Sequence, residues 1–351
     1  MPIIQNQTDL TRFQDLSAAV PTAPLRSTML GELGFFDVRP LTTKTVFIPR
    51  TIEQDFEFLD YAWGEVPQSL GVDTKGYITL PVPHFPVQDA ILPKDLDGIF
   101  NWDEIGQGAQ PETLVSTRAR KMKKISQGFA NLWEKSRMEL IINGKAYAPR
   151  GTLAQSYGAT VDYFQEFGVT QQSFAMSVNT PDVDILNEVE PIIAYIQDNL
   201  KNGSVAGRFL AICGSTFFSK LVAHPYVKET GKYVTLNSTD EVLAGRLGNA
   251  GLGLDARYRA FNFGGVLWVE NRAQMTATEA RVFPTDVEGM FVTFVAPSES
   301  KFSTINTSAQ EIYYFEKLVD EVQEQFQIVA ETNVLHACMY PQALIKVTIA
   351  P

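Results

Sequence analysis

One stretch limits this sequence more than any other: residues 112 to 140, whose apolar side chains recur at helical spacing without a break. Leu114, Met122, Ile125, Phe129, Leu132, Trp133 and Leu140 fall on one face at intervals of three, four and seven, behind Pro111 and Glu112, which suit a helix start. A helix of that extent is about 44 Å long at about 1.5 Å per residue, several times the usual length in globular proteins. It must therefore run along one body or between two. With 351 residues the chain exceeds what one core usually serves, so two lobes, or one domain with long extensions, are expected.

Charge divides sharply around that helix. Residues 51 to 111 hold two basic and eleven acidic side chains, a balance of −9, and residues 112 to 150 hold nine basic and three acidic, a balance of +6. The basic side chains Arg118, Arg120, Lys121, Lys123, Lys124, Lys135 and Arg137 suit phosphates or an acidic partner, with a solvated face as the bland alternative. The whole chain carries −11, which argues against a dedicated nucleic-acid binder but leaves room for a local basic patch. Hydrophobic residues at 45% and charged residues at 20% exclude wholesale disorder and a coiled coil. No apolar run approaches the ~20 residues of a membrane span, and the start lacks the basic and apolar regions of a secretion signal, so no membrane partner is expected.

Either side of the helix the texture differs. In the first fifty residues Pro21, Pro24, Gly31, Gly34 and Pro40 break up any long period, leaving an arm with room for a short helix near Asp9 to Val20. A β-rich run starts at Thr42 and is expected to end at Pro49, and residues 52 to 62 alternate Ile52, Phe56 and Phe58 with acids. From Gly64 to Pro93, prolines and glycines flank one short strand at Gly76 to Val82, the pattern of a projecting functional loop. Asn143-Gly144 between apolar runs predicts a hairpin after the helix. Beyond residue 150, helix and strand alternate. A helix is expected from a Thr180 cap and Pro181 to Leu200, a strand at Phe209 to Cys213, and a helix capped by Ser215 and stopped by Pro225. Further strands are expected at Gly264 to Glu270, Met290 to Ala296, Glu311 to Leu318, Gln325 to Glu331, Val334 to Cys338 and Ala343 to Ile349.

The residues offer little chemistry. His84, His224 and His336 stand far apart with no metal spacing, and Cys213 and Cys338 read as two separate buried thiols. The glycine-rich Gly245 to Gly253 lacks the strand before it and the Lys-Ser after it that a phosphate loop needs. Asp95 and Asp97 sit in a loop without a specific signal, and Trp63, Trp102, Trp133 and Trp268 read as core or contact anchors. No catalytic, cofactor or metal residue is assigned, and no enzyme activity is expected.

Several segments in order resemble the lambda-type major capsid proteins of tailed phages, the phage major capsid protein E family. They are Leu41-Thr42-Thr43-Lys44-Thr45-Val46-Phe47-Ile48, Gly64-Glu65-Val66, the basic helix, Asn143-Gly144-Lys145-Ala146-Tyr147, Ala159-Thr160-Val161-Asp162-Tyr163, and Ala330-Glu331-Thr332-Asn333-Val334 leading to Ala343-Leu344-Ile345-Lys346-Val347. The resemblance implies the α+β Hong Kong 97 phage capsid fold. Its parts would be an N-terminal arm at 1–45, and a peripheral domain at 46–180 with an extended loop at 50–95 and a spine helix at 112–140. An axial domain at 181–320 and terminal strands at 321–351 returning to the peripheral domain complete it. The implied function is self-assembly, as hexamers and pentamers, into the icosahedral head shell around double-stranded DNA. The shell would form in the host cytoplasm with a separate scaffolding protein, a portal protein and a decoration protein as partners. Another shell or tail component, or an enzyme with an unrecognised site, are the alternative readings.

Within that frame Trp63, Glu65, Asp73, Tyr77 and Phe85 are the candidate inter-subunit contacts: aromatics to anchor in a neighbour, acids to meet its basic segment. Arg118, Lys121, Lys123 and Lys124 form the candidate basic face for non-specific contact with packaged DNA.

Overall fold

A computed structural model describes residues 14–15, 29–52, 74–92, 100–101, 110–111, 114–149, 161–200, 206–229, 258–298, 307–320 and 325–350. The chain begins with β1 (Gln14–Asp15), α1 (Met29–Leu33), β2 (Asp37–Pro40), β3 (Thr45–Ile52), β4 (Thr74–Pro81) and β5 (Phe85–Ile91). After the short pair β6 (Phe100–Asn101) and β7 (Gln110–Pro111) comes α2 (Leu114–Asn143), 30 residues long. Two expectations for the first half fail. Residues 14–15 are extended and paired with Phe315 and Glu316, not part of a helix from Asp9 to Val20. The strand after Thr42 also passes through Pro49, which lies opposite Tyr77 in a ribbon that has two strands among the described residues, so its missing N–H interrupts no further ladder there.

The helix expected at 112–140 is α2, shifted by two or three residues at each end. Its apolar stripe is buried by three separate clusters. Met122 and Phe129 meet Ile91, Tyr314, Ile328 and Ala330; Trp133 meets Val295 and Val334; Met138, Leu140 and Ile141 join the main core. The expected Asn143-Gly144 hairpin is instead a helix stop. Ile141 and Ile142 are the helix's last turn, and Gly144 (φ 64°) donates its N–H to the Leu140 carbonyl. An apolar run beside Asn-Gly thus has two readings, and the period of the preceding thirty residues decides for the helix.

The second half holds α3 (Tyr163–Phe167), β8 (Ser173–Met176), α4 (Leu186–Asn199), β9 (Phe209–Cys213), α5 (Ser215–Ala223), β10 (Ala260–Phe263), β11 (Val266–Glu270), β12 (Glu279–Pro284) and β13 (Phe291–Val295). The chain closes with β14 (Tyr313–Asp320), β15 (Gln325–Thr332), β16 (Val334–Cys338) and β17 (Ile345–Ile349). α4 starts later than the Thr180 cap predicted: Asp184 accepts the Leu186 N–H at 3.0 Å, and Glu188 reaches back to the Ser177 N–H at 2.8 Å. Gly214, not Ser215, occupies the cap position of α5. β10 and β11 turn on Gly264 and Gly265, both with positive φ, as a two-residue hairpin of this hand requires.

These strands form a six-stranded mixed sheet in the order β10-β11-β9-β12-β17-β8, a four-stranded sheet β1-β14-β15-β5, a three-stranded sheet β16-β13-β2 and the two pairs β3-β4 and β6-β7. β9, wholly buried, is the parallel partner of β11 and the antiparallel partner of β12, with Trp268 and Phe217 stacked beside it. The four-stranded sheet lays Ile91, Tyr314 and Ile328 on α2. The strand pairing cuts across the expected ranges. β8, placed by the sequence in the 46–180 stretch, and β17, placed among strands returning to the peripheral domain, both lie in the six-stranded sheet. β14, placed at the end of the 181–320 stretch, pairs instead with β15 and β1. The chain interleaves its sheets rather than completing one before the next.

Helix and six-stranded sheet meet at a polar joint. α2 has no basic residue in its last turn, and Arg281 of β12 supplies the cation. Arg281 is buried; its Nε donates to the Ile142 carbonyl at 3.0 Å, its Nη1 to the Ala280 carbonyl at 3.2 Å, and its Nη2 to Glu279 at 3.1 Å. Lys346, directly opposite Arg281 on β17, pairs with the other oxygen of Glu279 at 2.8 Å. Burial pushes the Glu279 carboxyl up, but hydrogen bonds and charge from Lys346 and Arg281 outweigh it and hold the group below its usual range.

Three expected outcomes follow from this architecture. Alanine at Gly144 must hold a positive φ and drive its Cβ into the Phe164 ring, so Gly144→Ala should destabilise the subunit by about 1–3 kcal/mol, read by urea unfolding. Phe129→Ala should cost about 3–5 kcal/mol in the same measurement. Because the Glu279 carboxyl is depressed in the fold, its contribution is present above the unfolded value of 4.5 and lost as pH falls through the lower folded value. Wild type should therefore lose more stability between neutral pH and acid than Glu279→Gln does, and equal losses would refute the assignment.

Candidate assembly surfaces

The β3-β4 ribbon has two unlike faces. Its two-residue period turns Val46, Ile48, Ile78 and Leu80 into the main core, leaving Phe47 61% and Tyr77 68% exposed on the opposite side. Phe47 lies opposite Thr79, and Tyr77 opposite Pro49, so the two exposed rings share one face two residues apart on the ladder. Two large exposed aromatics side by side on a two-stranded ribbon are a candidate contact surface. Tyr77 was among the residues singled out from sequence. Phe47 was not, because it sits within the continuous run Val46-Phe47-Ile48. The signal that would have found it is the alternation of that run against Ile78 and Leu80 across the pair.

The other expected contacts separate. Phe85 is half-buried at the start of β5, in the four-stranded sheet and not on the projecting ribbon. The excursion read as one loop from Gly64 to Pro93 is therefore divided, with β5 returned to the body of the subunit. Trp63, Glu65 and Asp73 lie outside the described residues, as do Trp102, Asp95, Asp97 and Gly245 to Gly253.

Between β5 and α2 runs an open groove of about 760 Å³, floored by Phe85, Ile125, Phe129 and Leu132. Gly128 borders open space in it, where a Cβ would meet no atom within 4 Å. Lys121 and Lys124 stand along it. Lys121 is committed within the subunit, donating to Asp89 at 3.0 Å and to the Ala90 carbonyl at 2.6 Å, and so ties the helix to β5.

The four basic residues picked from sequence thus do not form one free face. Arg118 binds Glu316 at 2.7 Å, and Glu316 is buried, its carboxyl pushed up by burial and pulled back in part by Arg118. Lys123 and Lys124 are the two with exposed side chains. Sequence could not separate the pairs, because the partners Asp89 and Glu316 are 32 and 198 positions away.

The same helix also fixes the arm. Buried Glu134 accepts the Leu30 N–H through both oxygens, at 3.0 and 3.2 Å, and burial raises its carboxyl despite those bonds and the nearby Arg137. Arg137 lies 5.0 Å over the Phe36 ring. Phe36 in turn meets His336, which is hydrogen-bonded to Thr293 at 2.9 Å and which burial holds well below the usual imidazole value.

The remaining titratable groups have structural surroundings. His84 bonds Asn333 at 2.6 Å and His224 donates to the Thr180 carbonyl at 2.9 Å. Cys213 and Cys338 are separate buried thiols, as expected, with Cys338 pushed up by burial to about 12. Among the described residues no group of three or more His, Cys, Asp or Glu is placed to hold a metal ion, and no helix is long and apolar enough to cross a membrane.

Comparison with known proteins agrees with this geometry. The family described as phage major capsid protein E matches residues 12–349. The major capsid protein of Pseudomonas phage KPP10 is 34% identical, covering 99% of this chain and 98% of its own. Among solved structures, the putative capsid protein of a prophage of E. coli CFT073 superposes with a TM-score of 0.59 at 12% identity, covering 97% of this chain and 100% of that one. The capsid of Ralstonia phage GP4 gives 0.51 at 10% identity, over 100% and 96%. These likenesses show the α+β phage capsid fold expected from the sequence, and the chain belongs to the phage major capsid protein E family.

Proposed function

We propose that this chain is the shell-forming subunit of a tailed double-stranded DNA phage, assembling with copies of itself as hexamers and pentamers into the icosahedral head. The observation that carries this reading is the end-to-end relationship to the KPP10 major capsid protein. The geometry supports it: the exposed surfaces suit contacts between copies, and the buried charged groups Glu134, Glu316 and Arg281 have structural partners. On this reading the protein acts as a structural component of the virion and not as an enzyme. The shell forms in the host cytoplasm with separate scaffolding, portal and decoration proteins.

In the same reading the body built on α2 and the four-stranded sheet is the peripheral domain, the six-stranded sheet with α4 and α5 the axial domain, and the β3-β4 ribbon the base of the extended loop. The Phe47 and Tyr77 face, together with Trp63, Glu65 and Asp73, meets a neighbouring copy, where the groove between β5 and α2 offers an apolar floor and Lys124 a cation for the acidic segment. Lys123 and Lys124 supply the non-specific contact with packaged DNA, while Arg118 and Lys121 hold the subunit together.

Electron microscopy of the expressed chain should reveal closed shells or ring-shaped capsomers, and a monodisperse monomer under all assembly conditions would refute the reading. Phe47→Ala and Tyr77→Ala should lower the disassembly temperature of purified particles more than Asp73→Asn, because buried anchors commonly carry about 2 kcal/mol or more whereas rim charges chiefly affect association rate. Replacing Lys123 and Lys124 together by Gln should leave subunit stability unchanged and alter packaging or assembly. Unchanged particle yield and unchanged DNA content would remove their assigned role.

A further inference from the structure

We propose that Arg281 is a positioning residue: it fixes the angle between α2 and the six-stranded sheet, and that angle sets the curvature at which copies of this chain close. The inference rests on the shell reading for its second half only.

Three observations carry it. First, the last turn of α2 has no basic side chain, yet its Ile142 carbonyl is met by a guanidinium delivered from the other body. A cation at that end complements the helix dipole, and orphan terminal carbonyls need a donor. Second, the arrangement is locally costly. Arg281 and Lys346 are directly opposite on antiparallel strands, a like-charge pair that is unfavourable by itself and is held only because Glu279 binds both. An apolar residue at 281 would fill the sheet without that conflict, so the charge answers to the helix end. Third, beside a long contact from Asn271 Nδ2 to Met138 Sδ at 4.0 Å, this junction is mainly apolar. Met138, Leu140 and Ile141 share one core cluster with Ile212, Val282 and Phe283. Apolar burial is non-directional and tolerates small rotations, whereas a guanidinium with one N–H on Ile142, one on Ala280 and one on Glu279 accepts a single orientation. In a closed shell each copy repeats the same internal angle, so a small spread within the subunit becomes a spread in curvature.

The test uses the full chain with Asn131→Cys and Asn262→Cys, two exposed positions on α2 and β10, since native Cys213 and Cys338 are buried. Spin labels at the two introduced thiols report the helix-to-sheet distance distribution in the unassembled subunit, and electron microscopy reports particle diameters. Arg281→Met should broaden the distance distribution. It should also speed amide exchange in the last turn of α2 about tenfold, the scale of one charge-assisted hydrogen bond, and give particles of mixed diameter or open sheets. A distribution as narrow as wild type, or uniform particles of wild-type diameter, would overturn the proposal. If Arg281→Met does not fold, Arg281→Lys decides. It keeps the charge and loses the fork, so it should broaden the distribution part-way, and a wild-type distribution would overturn the proposal. Failure of the unsubstituted chain to form shells would instead strike the shell reading, leaving the distance measurement to judge the joint alone.

Discussion

The structure depends on the burial of one face of α2. A thirty-residue helix gains little from its own propensity in water and must be held by packing, and here three clusters bury it in succession along its length. Each cluster brings a different part of the chain. The first contributes β5, β14 and β15, the second β13 and β16, and the third the main core with the six-stranded sheet. The helix is thus a common wall for all three clusters, which is why a period-3.6 stripe of this length so constrains the sequence.

Apolar burial brings the parts together, and a small set of charged groups orients them. Arg118 on Glu316 and Lys121 on Asp89 set the four-stranded sheet against the helix, Glu134 holds the arm root at Leu30, and Arg281 holds the helix end. Glu134, Glu316 and Arg281 are buried, where removing one partner leaves a charge without solvation; such pairs are poor net stabilisers and strong constraints on geometry. The basic segment that looks like a surface in the sequence is therefore partly internal wiring.

What could be read from the sequence was what is local. β9 and β16 fall at the expected residues, and α2 nearly so, because a continuous apolar run or a sustained period specifies them without reference to the rest of the chain. The misses have one cause. β2, β5, β8 and β12 carry prolines or mixed composition and become strands through partners supplied by distant segments; β5 contains Pro86 and among the described residues is an edge strand paired with β15. The Asn143-Gly144 signal is ambiguous locally and is resolved by the helix before it. Among the candidate contacts, Tyr77 was legible because its neighbours alternate. The internal role of Lys121 was not, since nothing near it in sequence announces Asp89.

Interleaving also bears on how rigid the subunit is. The six-stranded sheet takes β8 from Ser173–Met176 and β17 from Ile345–Ile349, with β17 between β12 and β8. A sheet closed by its final strand cannot be completed until most of the chain is in place, a topology of high sequence separation that forms slowly. Once closed, every strand but the two at its edges is fixed on both sides, and the sheet behaves as one body. α2, bonded along its length, behaves as another. Freedom between two such bodies concentrates where apolar contacts alone would let them turn, at the end of the helix, and that is where the chain places a guanidinium whose three bonds each point in a different direction.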